Sequence, residues 1–132
     1  MAIWKAFRPA DTMHPFALSL AGENLIFISG ITGHRPDGSL GATVDEQTRD
    51  ALATVATLLE RAGASLDEIV WIHPYATTIE NGLATGPVFT ELFGQAPPAC
   101  GALIGNVTFV DPAMLVEFDV IAARGARREL VT

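Results

Sequence analysis

Cysteine occurs once in 132 residues, so Cys100 finds no partner within the chain and no internal disulfide holds the fold. Positive charge is also scarce. Eight Lys and Arg stand against fifteen Asp and Glu, a formal net charge of −7, which counts against phosphate backbones and anionic membranes as partners. No apolar run approaches the ~18 residues of a membrane span, and the opening Met1-Ala2-Ile3-Trp4-Lys5-Ala6-Phe7-Arg8-Pro9 lacks the apolar stretch of a secretory signal, which places the chain in the cytoplasm. His14, His34 and His73 lie far apart without HxxxH or CxxC spacing, so no metal is expected. A nucleophile elbow, a P-loop and a dinucleotide fingerprint are all missing.

What is present is apolar. At 49% apolar and 17% charged residues, the chain can bury a core as a single domain spanning residues 1–132. The mean hydropathy of +0.33 is high for so few charges, and the excess apolar surface points to an oligomer.

Ile3, Lys5 and Phe7 alternate with their neighbours as a short strand does, and residues 16–20 and 25–31 read as a hairpin across Ala21-Gly22-Glu23-Asn24, its second strand ending at Ser29-Gly30. Thr43-Val44-Asp45-Glu46 is a capping box that opens a helix. Val44, Thr48, Ala51, Val55, Leu58 and Ala62 form its buried stripe, and Gly63 supplies a left-handed stop. Residues 69–78 follow as a strand with Trp71, His73 and Tyr75 on one face; Pro74, lacking a ladder donor, suggests an edge or a bulge. Thr85-Gly86-Pro87 opens a second helix ended by Gly94, and residues 99–110 and 114–123 form two last strands. The order β-β-β-α-β-α-β-β implies an α+β fold with helices on one face of a mixed sheet, the other face awaiting a partner.

Glu117 and Asp119 lie two apart on the last strand and project from one face. If that face is enclosed they suit acid and base roles; if not, they are two solvated carboxylates. Cys100 is a nucleophile only if a base such as His73 reaches it, and otherwise a small buried residue. His34 and Arg35 occupy a polar loop of turn-forming residues. Trp4, Trp71 and Tyr75 fit a core or an interface better than a base-stacking platform, given the acidic balance.

Several ordered segments resemble the YjgF/RidA reactive-intermediate deaminases: His14-Pro15-Phe16, Leu25-Ile26-Phe27-Ile28-Ser29-Gly30, Gln47-Thr48-Arg49, residues 62–69, Pro97-Pro98-Ala99, and Val116-Glu117-Phe118-Asp119-Val120-Ile121-Ala122. The resemblance runs from about Pro15 to Ala123. It implies a chorismate-mutase-like fold, a homotrimer with ligand clefts between subunits, and hydrolysis of small reactive enamines and imines without a cofactor. Glu117 matches the glutamate that handles water, and Ser29-Gly30 matches the segment that meets the ligand. Cys100 stands where that family has a carboxylate-gripping arginine, Phe16 replaces a tyrosine, Leu18 a glutamine and Gly86 an asparagine. The cleft is therefore expected to be less polar than usual, with Phe16, Ile31 and Phe89 lining it and Glu117 and Cys100 as its catalytic candidates. The alternative is a binding module of the same fold that holds a small apolar metabolite without turning it over. RNA cleavage, sometimes attributed to such proteins, conflicts with the charge.

Overall fold

The computed structural model describes residues 2–8 and 17–131. Phe16 and His14 lie outside the described residues. Six strands form one mixed sheet in the order β1-β2-β3-β6-β4-β5: β1 Lys5–Phe7, β2 Ser19–Ala21, β3 Leu25–Thr32, β4 Ile69–Ala76, β5 Ala99–Cys100 and β6 Val116–Ala123. All pairs are antiparallel except β4 with β5. Helix α1, Val44–Arg61, opens with the expected Thr43/Glu46 capping box, and Gly63 adopts φ +77° just past its end. A short helix α2, Ile79–Leu83, precedes α3, Gly86–Phe93; α2 was not anticipated from the sequence.

The helices cover one face. On it, Ile26, Ala122 and Ile69 form one register row, Ile28, Val120 and Ile72 the next, and Ile31, Phe118 and Pro74 the third. Against them pack Ala51, Leu52, Val55, Leu58 and Leu59 of α1 and Val88 of α3. The stripe of α1 is wider than the spacing of its most regular positions suggested, because Gln47, Leu52 and Leu59 are buried as well.

Gln47 is the polar fastening of this core. Its side-chain nitrogen donates to the Gly41 and Ala113 carbonyls, and its Oε1 accepts from the Leu115 N–H at 2.8 Å. One side chain thus ties α1 to the segments entering α1 and β6. Gln47→Ala leaves one buried and two partly buried backbone groups without this partner, so chemical denaturation should show a loss of about 2 to 3 kcal/mol.

Two strand expectations are corrected. Residues 99–110 do not form a continuous strand: β5 stops at Cys100, and Tyr75 and Ile104 make an isolated bridge. Pro74 is not on an edge strand but lies between β6 and the residues following β5. The carbonyl of Ile72 accepts from Gly101 and the N–H of Ala76 donates to Ile104, so Pro74, which has no N–H, sits at the gap between them. There the His73 ring takes over, with Nε2 donating to the Ala102 carbonyl at 2.8 Å and Gly101 packed so closely that a Cβ would lie 2.8 Å from the imidazole.

Candidate functional site

Among the described residues the second sheet face carries no helix, and it divides into an apolar and a polar part. Register places Leu20, Phe27, Ile121, Trp71 and Ala99 in one row across β2, β3, β6, β4 and β5. The next positions are polar. Asp119 pairs with His73, and Glu117 lies between Thr32 on β3 and Tyr75 on β4.

A bulge in β3 organises this end. Ile28 pairs with Val120 and Ile31 with Phe118, so two residues, Ser29 and Gly30, oppose Asp119 alone. Gly30 has φ +68°, a conformation that a side chain disfavours, and a Cβ there would come 3.3 Å from Glu117 Oε1. Oδ1 of Asp119 accepts from the Ser29 hydroxyl at 2.8 Å and the Gly30 N–H at 3.1 Å, and Oδ2 accepts from the Tyr75 hydroxyl at 3.0 Å. Three donors from two neighbouring strands therefore fix this carboxyl in place.

Glu117 is treated differently. Burial first, and then the negative charge of Asp119, push its carboxyl above the ordinary carboxylate range. The pair thus joins an anchored acceptor to a neighbour with enhanced proton affinity, an arrangement suited to acid and base work. Tyr75 is also pushed up, by burial and by donating to Asp119, so it stays protonated as a donor. The rings of Trp71, His73 and Tyr75 follow one another along β4 at 5.4 and 4.5 Å between centroids.

Glu117, Ser29 and Gly30 meet here, but not every residue read from the sequence joins them. Ile31 is buried in the helix-covered core, because the bulge inserts an extra residue and shifts the alternation beyond it. Phe89 also packs on that face, its ring 5.8 Å from those of Phe118 and Phe93. Cys100 pairs in register with Ile72, a core-facing residue, whereas Ala99 pairs with Trp71 of the open face. His73 turns its Nε2 to the Ala102 carbonyl, and partial burial pushes the Cys100 thiol up, away from the thiolate a nucleophile requires; the residue as a whole is exposed, so it is not the small buried residue of the alternative reading either. The part of Tyr75 was missed; its place beside Trp71 and His73 on the face that also bears Glu117 was the available signal.

Among the described residues no group of three or more His, Cys, Asp or Glu gathers as a metal ion would require, and no helix is long and apolar enough to cross a membrane. Two hollows of the isolated chain lie elsewhere, one lined by Asp67, Phe93 and Arg128 and the other by Glu60, Leu66 and Leu92.

A family model described as Endoribonuclease L-PSP matches residues 7–124. A RutC family protein of Pyrococcus abyssi is 27% identical over 110 residues, covering 82% of this chain and 85% of that protein. The mitochondrial protein mmf2 of Schizosaccharomyces pombe is also 27% identical over 110 residues, covering 83% and 87%. Among solved structures, a protein of unknown function from Pseudomonas aeruginosa superposes with a TM-score of 0.86 at 23% identity over the whole of both chains. A member of the YjgF/YER057c/UK114 family from Mycobacterium tuberculosis does so with a TM-score of 0.80 at 23% identity, covering 92% of this chain and 99% of that one.

Proposed function

Because the chain belongs to the endoribonuclease L-PSP family, the YjgF/RidA family, we propose that it is a cytoplasmic, cofactor-free hydrolase of small reactive imines and enamines. It works in clefts between the subunits of a homotrimer. The observation that carries this reading is the pairing of Glu117, raised in proton affinity, with Asp119, held by Ser29, Gly30 and Tyr75.

Hydrolysis of an imine adds water to the carbon of the C=N bond and then expels nitrogen as ammonia or an amine. Both halves move protons. Glu117 takes the proton of the attacking water, while Asp119 and Tyr75 hold the nitrogen and the water in line. Ser29 and Gly30 act by fixing Asp119. The apolar row from Leu20 to Trp71 supplies the surface on which subunits meet, and covering it turns the open polar end into a cleft.

The site also bears on substrate charge. Cys100 provides no positive charge, and the Ser29 hydroxyl and Gly30 amide are already spent on Asp119. The substrate is therefore one with little negative charge rather than a simple 2-imino acid. RNA cleavage, which the family's description suggests, is disfavoured by the net charge of −7.

The test is ammonia release from freshly generated imines, with and without a carboxylate, by the wild type. The wild type should favour the imines that lack a carboxylate. A wild type that binds such compounds but releases no ammonia would make the chain a binding module instead.

A further inference from the structure

Thr32 closes β3, His34 lies in the loop beyond it and Asp111 lies in the turn before β6, yet their side chains form one continuous chain of hydrogen bonds. Thr32 Oγ1 is 2.7 Å from His34 Nδ1, and His34 Nε2 is 3.0 Å from Asp111 Oδ2. The Ala113 N–H and then His34 hold the Asp111 carboxyl below the usual carboxylate range, so Asp111 is ionised and can only accept. Nε2 therefore carries the hydrogen. In the neutral ring Nδ1 is then bare, and the Thr32 hydroxyl donates to it while accepting from the His34 backbone N–H at 3.2 Å.

Protonation of the ring reverses the first bond. Nδ1–H now donates to Thr32 Oγ1, and the hydroxyl hydrogen is released to point elsewhere. Thr32 is the register partner of Glu117, so the released hydrogen has the polar end of the open face within reach. Among the described residues, Glu117 and, beyond it, Asp119 on β6 are the charges along this face of the strand next to Thr32; Arg35, next in the chain, is turned to Asp50 of α1 at 2.8 Å.

We propose that Thr32, His34 and Asp111 form a proton-delivery unit, in which protonated His34 turns the Thr32 hydroxyl toward the substrate nitrogen opposite Glu117. The proposal rests on the imine-hydrolase reading. Glu117 takes a proton from water as its oxygen bonds to the imine carbon, and the C=N electron pair moves to nitrogen. That nitrogen takes the Thr32 hydrogen, which Nδ1–H of His34 replaces. In the second half Glu117 returns its proton to the nitrogen, the C–N bond breaks with its electron pair leaving on ammonia, and the carbinol proton passes back through Thr32 to His34. Water and imine become carbonyl and ammonia, and both protein groups are restored.

Two measurements test the unit. Nitrogen-15 NMR of the histidine rings should show neutral His34 with its hydrogen on Nε2; a hydrogen on Nδ1 would overturn the assignment. Steady-state ammonia release across pH should show a wild-type kcat that falls on the alkaline side. His34→Gln should abolish that limb and lower kcat roughly 100-fold with KM little changed, the usual scale for one acid–base group. Thr32→Val should behave like His34→Gln, while Thr32→Ser, which keeps the hydroxyl, should restore most of the rate. If Glu117→Gln is inactive while His34→Gln keeps the wild-type rate and profile, the unit fails and the hydrolase reading stands. If the wild type itself turns over no imine, both fall.

Discussion

Replacing Glu117 with glutamine should cost activity and increase stability in the same variant. Loss of the group that takes the proton of water should lower kcat for imine hydrolysis at least about 100-fold. The stability effect follows from the raised proton affinity of Glu117 in the folded state, caused by burial and then by Asp119. A carboxyl whose folded value lies above its unfolded one contributes most at pH below the unfolded value and loses that contribution as pH rises through the folded value. At neutral pH the wild type therefore keeps an ionised, partly desolvated carboxylate beside a second one. Glutamine removes that charge in nearly the same volume. Thermal denaturation should show Glu117→Gln more stable than the wild type at neutral pH, with the gain shrinking as pH falls and Glu117 becomes protonated. A residue whose removal stabilises the fold is one retained for chemistry. Equal stability at every pH would show that Glu117 is solvated and that its proton affinity is ordinary.

Phe27→Asp should have the other large effect. Phe27 is 40% exposed in the isolated chain, sits in the apolar row between Leu20 and Ile121, and has the Trp4 ring 6.0 Å away. A charge at this position costs the folded subunit little, because the side chain leaves the helix-covered core untouched. In an assembly that buries the row it would be a desolvated, unpaired carboxylate, which costs several kcal/mol per copy. Light scattering should show the mass of three chains for the wild type and of one chain for Phe27→Asp, with unchanged circular dichroism. Activity should fall with the assembly, because the cleft is closed by the neighbouring subunit. A monomeric wild type, or a Phe27→Asp variant that stays trimeric, would remove the open face from the interface.

Local rules made some parts of this molecule legible in its residues. Helix α1 was readable because a capping box, a stripe of period near 3.6 and a stop glycine agree without reference to any distant segment. The shared face of Glu117 and Asp119, and that of Trp71, His73 and Tyr75, followed from strand alternation alone. Alternation failed where long-range geometry intervened. The bulge at Ser29 and Gly30 exists because two residues there oppose one on β6, so Ile31 moved into the core. Residues beyond Cys100 left the ladder because Pro74, on the facing strand, has no N–H to offer. The chain from Thr32 through His34 to Asp111 joins residues 79 positions apart, and no local pattern links them; only His34 stood out in the sequence, as part of a polar loop. Cys100 misled for another reason: the thiol was noticed for its chemistry, while its orientation is set by pairing with Ile72.

The central claim is that the polar end of the open sheet face hydrolyses imines when subunits cover it. The most direct measurement is the rate of ammonia release from a freshly generated imine lacking a carboxylate, above its spontaneous rate in the same buffer. Wild-type protein, Glu117→Gln and Phe27→Asp are compared at equal chain concentration. The account predicts a clear excess rate for the wild type, and little or none for the variant without its base or the variant without its neighbours. An excess rate that survives in Glu117→Gln, or no excess in the trimeric wild type, would contradict it.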